Sequence, residues 1–161
     1  MAKKQGLLSR LLGVTETKPA QRRTAATGDK LKFCVAGLFY RMDAFYEVAQ
    51  RHRDFGLSDA DFIAKHDNGR AVYEYRLKRD AEADLEFEPE NPHDRNAIAV
   101  YINKKHVGYV PADLTGEARR IMAGPYCVRA WAGGGARKRV IDGRVVTNST
   151  DIDLYVELEP A

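Results

Sequence analysis

Short strands joined by tight turns constrain this chain more than any other feature. Over much of its length, apolar and polar residues alternate in short runs, which is the period of a strand with one buried face. Most connections between these runs are too short for the crossover helix that a parallel sheet requires. The predicted strands are 31–40, 71–79, 84–94 (ended by two prolines), 97–102, 106–110, 126–132 and 151–159. We therefore expect antiparallel pairing.

Helices are predicted between these strands at three places. Residues 43–55 carry apolar side chains at helical spacing, and residues 112–122 follow a proline. Ser58, with Asp61 three residues later, predicts the start of another short helix. Asp142-Gly143 predicts a hairpin turn. The fold class is therefore mostly β (α+β): a small antiparallel barrel of OB or SH3 type, with about six strands and two to three peripheral helices.

Charge divides the chain into an arm and a body. Residues 1–32 hold eight Lys or Arg against two acids, a balance of +6, whereas the whole chain carries +3. Residues 13–30 have almost no large apolar side chains, and the preceding LLSRLL segment is too short for a stable isolated helix. We predict a basic, flexible arm over 1–30 and a folded domain over 31–161. The arm would contact nucleic acid, an anionic membrane or a protein partner, or would only aid solubility.

Several classes of protein are excluded at this stage. Uncharged runs are too short for a membrane span, and no secretory cleavage site follows the basic start. Cys34 and Cys127 lie in apolar stretches, which favours buried thiols in a cytoplasmic protein. Because phosphate-binding loops, nucleophile elbows and metal-ligand spacings are missing from the sequence, we predict no enzymatic activity, no metal and no cofactor.

The segment EPENPHDRNAIAVYINKKHVGYVPADL, residues 88–114, is the most informative part of the sequence. Asn91 and Asp94 are residues that bond their own backbone in turns, and an apolar strand, a tight turn and a second strand follow. With VAGLFY at 35–40 and VGYVP at 107–111, this arrangement resembles the HIRAN domain. The resemblance spans about residues 31–132, with an extension towards 158.

The resemblance implies a small barrel that binds single-stranded DNA and recognises its 3′ end in repair or replication. In such domains aromatic rings stack on the terminal nucleotide, and an acid receives the 3′-hydroxyl. The corresponding pocket residues here are Tyr40, Asn91, His93, Asp94 and Tyr109. By the same resemblance Asp94 is the acid, and residues 41–70 are a helical insertion beside the pocket.

Positive charge near this pocket is expected from other positions. Phe39 stands where DNA-binding relatives have a basic residue, and His93 replaces a tyrosine. The residues expected to supply the charge are Arg41, Arg95, Lys104 and Lys105. After three glycines, Arg137-Lys138-Arg139 form either a flexible loop or a finger in which Arg137 and Arg139 follow phosphates.

Structural roles remain open for these residues. Asp94 could only close its turn, Tyr40 and Tyr109 could fill the barrel, and Trp131 is expected in the core. At the level of function, a nucleic-acid-binding module competes with a protein–protein adaptor that uses the barrel and the arm. A positive groove from Tyr40 past Lys104 and Lys105 towards Arg137 would favour DNA.

Overall fold

The computed structural model describes residues 29–161. The predicted arm, with its LLSRLL segment, lies outside these residues except for Asp29 and Lys30. The strands are β1 (Leu31–Cys34), β2 (Ala49–Arg51), β3 (Val72–Tyr73), β4 (Tyr75–Leu77), β5 (Ala83–Phe87), β6 (Ile98–Ile102), β7 (Lys105–Tyr109), β8 (Tyr126–Ile141) and β9 (Arg144–Pro160). The α-helices are α1 (Met42–Val48), α2 (Asp59–His66) and α3 (Thr115–Met122), with short 3-10 helices at Leu38–Arg41, Arg53–Gly56 and Ala112–Leu114. Of the described helices, none has the length and apolar character needed to cross a bilayer.

A long hairpin of β8 and β9, 16 and 17 residues, forms the centre of the largest sheet. Its turn is Asp142-Gly143, with positive φ at both residues, as the Asp-Gly pair predicts. The pairing is irregular only between Gly134 and Ala136. The prediction that Arg137-Lys138-Arg139 form a flexible loop is therefore wrong, because these residues are paired within β8. Glycines interrupt the apolar pattern there, but β9 provides a backbone partner that the local sequence does not reveal.

The strands form three antiparallel sheets. Their orders are β1-β9-β8-β3, β5-β6-β7 and β2-β4. The predicted mostly β class is confirmed. Within residues 29–161 the sheets do not close into a barrel, so the OB- or SH3-type barrel of about six strands is not confirmed.

Residues 71–79 form two short strands instead of the single predicted one. The backbone of Glu74 donates to Ala136 O at 2.9 Å and accepts from His52 N at 2.7 Å, so the chain changes partners at this residue. As a result β3 pairs with β8, whereas β4 pairs with β2. In β3 Val72 is buried, whereas Tyr73 is 43% exposed.

The insertion after β1 contains less helix than predicted. Helix α1 ends at Val48, not at residue 55, because residues 49–51 pair with β4. The predicted cap at Ser58 is confirmed, since its hydroxyl accepts a hydrogen bond from Asp61 N at 3.2 Å. Phe62 of α2 is fully buried in a small second core beneath the insertion.

The main core lies between the four-stranded and three-stranded sheets and α1. Its largest fully buried side chains include Phe33, Phe45, Ile98 and Leu158. Each such side chain contributes about 1.5–3 kcal/mol to folding. This core holds β7 and the segment after β1 in fixed relation to each other.

Two residues predicted to be buried lie on the outer face of β8. Cys127 is exposed, and Trp131 is 36% exposed. Alternation along β8 gives the inward positions to Val128, Ala130 and Ala132, so the intervening residues face outward. Trp131 stacks on Tyr155 at 5.9 Å between ring centroids instead of entering the core.

Candidate nucleic-acid interface

The residues after β1 dock directly onto β7. Ala36 N donates to Tyr109 O and Tyr109 N donates to Ala36 O, each at 2.8 Å. Gly37, with φ of 75°, then turns the chain into the 3-10 helix at 38–41. The predicted strand 31–40 therefore ends at Cys34, and the turn brings Arg41 beside Tyr109.

Gly108 permits this close approach. Its φ is 152°, and a Cβ atom at this position would overlap the carbonyl oxygen of Ala36 and the side chain of Val35. A residue without a side chain is therefore needed where β7 meets the docked segment.

An aromatic face, which we define as Arg41, Tyr101, His106 and Tyr109, covers the outside of β6 and β7. The ring of His106 stacks on Tyr101 at 5.0 Å and meets Tyr109 edge-on at 4.8 Å. The guanidinium of Arg41 lies 5.7 Å from the centroid of Tyr109. This arrangement resembles the stacked rings and cation that bind bases and phosphates in single-stranded nucleic-acid sites.

His106 is held as a neutral hydrogen-bond donor. Burial and then the charge of Arg41 lower its pKa, outweighing the hydrogen bond with Gly108 and the nearby carboxylates. Its Nε2 lies 2.9 Å from Gly108 O, and a carbonyl can only accept, so Nε2 carries the proton. Burial, followed by the charges of Glu86 and Glu88, raises the pKa of Tyr101. Both rings are therefore uncharged at neutral pH.

The loop before β6 is organised by its own side chains. Asn91 Oδ1 accepts hydrogen bonds from His93 N at 2.9 Å and Asp94 N at 3.1 Å. Asp94 Oδ1 accepts from Asn96 N at 2.8 Å, which confirms the predicted turn role of Asp94. Residues 89–95 line a small open pocket of about 240 Å³. Asp94 is half-buried, whereas His93 and Arg95 are exposed.

Glu88 connects this loop to the aromatic face. Its Oε2 accepts from Tyr109 Oη at 3.1 Å and from Asn91 Nδ2 at 2.9 Å. The structure therefore brings Arg41, Tyr109 and Asn91 together, with Asp94 in the same loop. Sequence reasoning missed Glu88, Tyr101 and His106. His106 and Tyr109 are three residues apart, so strict alternation would place them on opposite faces of β7. The register shift in the pairing of β6 with β7 brings both rings to one face, and the local sequence does not reveal that shift.

Two aromatic side chains project beside Arg41. Phe39 is 82% exposed and Tyr40 is 87% exposed, and their rings meet edge-on at 5.6 Å. Tyr40 therefore does not fill a barrel. Exposed rings of this kind offer stacking platforms to bases or an apolar contact to a protein.

The other predicted basic residues lie elsewhere. Lys104 and Lys105 are at the turn between β6 and β7, at the opposite end of β7 from Tyr109, and Lys105 is ion-paired with Glu47 at 2.6 Å. Arg137 and Arg139 lie in β8, where Arg137 pairs with β3. The predicted basic residues thus occupy three separate locations.

Comparison with protein-family models decides the family. Residues 67–159 match the HIRAN domain model, which is more than half of the chain. The chain belongs to the HIRAN family. The match contains the 88–95 loop, Gly108 and Tyr109, whereas Tyr40, Arg41 and most of the insertion precede it. No curated protein and no solved structure matches the chain. HIRAN domains are generally nucleic-acid-binding modules, so the expected partner is a nucleic acid.

Proposed function

We propose that this HIRAN protein binds single-stranded DNA and recognises its 3′ end in DNA repair or replication. The observation that carries the proposal is the Glu88 bridge, which joins the ring of Tyr109 to the loop of Asp94. This connection between the ring of Tyr109 and the loop of Asp94 supports a site that combines stacking with a carboxylate for a terminal hydroxyl. The protein acts as a binding module without catalysis. We place its action in the cytoplasm, a reducing compartment that suits its two unpaired cysteines.

Each part of the surface has a separate task in this proposal. The exposed rings of Phe39 and Tyr40 stack on bases, and Arg41 contacts a phosphate while resting on Tyr109. Asp94 uses Oδ1 to close its turn, which leaves Oδ2 to accept the 3′-hydroxyl. Arg95, which lines the same pocket, offsets part of the negative charge.

Discrimination between 3′ ends tests the role of Asp94. A carboxylate gains about 1.5–3 kcal/mol from a charge-assisted hydrogen bond with a hydroxyl. A 3′-phosphate instead brings like charge within about 4 Å, a repulsion of roughly 1–4 kcal/mol between water and an effective dielectric of 20. We expect wild type to prefer a 3′-hydroxyl at least about tenfold, measured by fluorescence anisotropy with one oligonucleotide in both forms.

The matched variant is Asp94→Asn, which keeps the oxygen that accepts from Asn96 but removes the charge. It should retain the thermal midpoint and lose the preference. Equal affinity of wild type for the two ends would show that Asp94 is only a turn residue here.

The exposure of Phe39 and Tyr40 also favours a second candidate function, a protein–protein adaptor. The two functions differ in salt dependence. Contact with three to five phosphates of a single strand predicts a log–log salt slope of about −2 to −3.5. A flat response to salt would instead favour the adaptor.

A further inference from the structure

A basic cleft lies between the insertion and β4, and its lining shares no residue with the aromatic face. It has a volume of about 480 Å³, and β2, β4 and the residues around the 53–56 helix form its walls. Its lining includes four arginines and two histidines: Arg51, Arg53, Arg76, Arg79, His52 and His66. None of these residues belongs to the surface predicted from the sequence.

Within residues 29–161, Asp54 supplies the one carboxylate of the lining, and neighbouring groups already compensate its charge. Asp54 is 7% exposed and accepts from His66 Nε2 at 3.1 Å, while Lys65 Nζ and Arg53 Nε lie 3.5 and 3.4 Å away. Burial acts to raise the pKa of Asp54, but the bond with His66 and the charges of Lys65 and Arg53 outweigh it, so the pKa is lowered. Asp54 therefore holds the wall of the cleft together and is not free to repel an anion.

The arginines differ in how they are held. Arg51 Nε donates to Glu74 Oε1 at 2.9 Å, and its guanidinium lies 5.6 Å from the ring of Phe55, so its orientation is fixed. Arg76 and Arg79 are exposed, and within residues 29–161 they have no carboxylate partner. The cleft and its immediate neighbours carry five positive charges, from the four arginines and Lys65. The carboxylates of Asp54 and Glu74 balance two of them, which leaves an excess of three positive charges.

His52 adds a neutral donor to this cleft. Its Nδ1 accepts from Asp54 N at 3.1 Å, so the proton of the neutral ring is on Nε2. Burial and the charges of Arg76, His66 and Arg53 lower the pKa of His52, against the effect of Asp54. A positive field of this kind, with planar guanidinium donors, suits the oxygens of phosphate groups.

The cleft is within reach of a strand that occupies the aromatic face. Helix α1 connects the two, because Arg41 precedes it and β2 follows it. Seven helical residues at 1.5 Å each span about 10 Å, the length of roughly three nucleotides at 3.4 Å each. A strand longer than about four nucleotides can therefore contact both surfaces.

We propose that the basic cleft binds backbone phosphates of the same DNA strand whose 3′ end lies at the loop of Asp94, next to the aromatic face. The inference rests on the proposed function and extends it. It assigns Arg76 and Arg79 to phosphate contacts and predicts that affinity rises with strand length once the cleft is reached.

The test compares a trinucleotide, dT3, with a twelve-nucleotide strand, dT12, both with 3′-hydroxyl ends. The variant is Arg76→Gln with Arg79→Gln, and the matched control is Arg70→Gln with Arg144→Gln, two exposed arginines outside the cleft. The cleft variant should bind dT12 about five- to twentyfold more weakly than wild type, with dT3 affinity within about twofold. Its salt slope for dT12 should become shallower by about 1.4, since each single-strand phosphate contributes about 0.7.

The outcomes separate this inference from the proposed function. If the cleft and control variants lose dT12 affinity equally, the proposed role of the cleft is overturned. The 3′-end preference of wild type is a separate measurement and is unaffected by that result. A cleft-specific loss without any 3′-end preference in wild type supports the cleft and rejects end recognition. An absence of dT12 binding by wild type overturns both. Unchanged thermal midpoints show that the variants are folded.

Discussion

Replacing Gly108 by alanine tests whether the docking of residues 35–41 onto β7 builds the interface. The added Cβ would overlap Ala36 O, so the segment must move away and its two 2.8 Å hydrogen bonds with Tyr109 must lengthen or break. Each bond contributes about 0.5–1.5 kcal/mol. The positive φ of 152° adds strain of about 1–3 kcal/mol for a residue with a side chain.

Lost hydrogen bonds and strain together would lower the free energy of unfolding by about 2–6 kcal/mol. Because the segment can detach locally and relieve the strain, we expect a loss in the lower half of that range. A loss of about 3 kcal/mol lowers the thermal midpoint by roughly 6–12 °C for a domain of this size. The protein should still fold, because typical stabilities are about 5–15 kcal/mol. DNA affinity should fall as well, since displacement of the segment separates Arg41 from Tyr109.

Gly116 provides the control for this substitution. It lies in α3 and is exposed, and a Cβ there would meet open space. Alanine at this position should stabilise the helix by about 0.5–1 kcal/mol and leave DNA binding unchanged. Thermal melts and anisotropy on both variants make the comparison. A Gly108→Ala protein with a wild-type midpoint and wild-type affinity would refute the docking argument.

Two further predictions concern titratable groups. Cys127 is exposed and should react rapidly with a thiol reagent at pH 8, whereas Cys34 should react slowly, because burial and then Asp153 raise the pKa of Cys34 to about 11. The thiolate fraction of Cys34 at pH 8 is then only about one in a thousand. Equal reaction rates of the two cysteines with the reagent would contradict this prediction. His106 has a pKa below its usual 6.5, so the unfolded state takes up the proton first and folding stability should fall as pH drops below about 6.5. Urea titrations at several pH values measure this loss of folding stability. The His106→Gln variant, which keeps a donor for Gly108 O, should lose less stability between neutral and acidic pH than wild type. If the stability of the two proteins changes with pH in the same way, His106 does not contribute.

Sequence reasoning succeeded where a structure depends on neighbouring residues. The Asp142-Gly143 turn, the Ser58 cap and the backbone-bonding turn around Asn91 each follow from contacts within a few residues. The buried run of β6 is likewise a local pattern. The family motif located the loop of Asp94 and the ring of Tyr109, and the structure joins them through Glu88.

It failed where pairing is distant along the chain. The length of β8 depends on β9, and the end of α1 depends on pairing of Ala49 with Leu77. The basic cleft has the same origin, because Arg51 and Arg76 come together only when β2 pairs with β4. Neither arginine lies in a motif, so the local sequence carries no signal for the cleft.

The basic stretch in β8 shows why charge in a sequence does not by itself indicate a ligand. Lys138 Nζ donates to Phe55 O at 2.5 Å and lies 4.6 Å from the centroid of that ring. Its charge is used to hold the 53–56 helix, one wall of the basic cleft, against the hairpin. Alternation along β8 directs Arg137 and Arg139 to the opposite face. In this hairpin Lys138 therefore keeps the insertion, and with it the cleft, in place, whereas Arg137 and Arg139 are half-buried on the other face of β8.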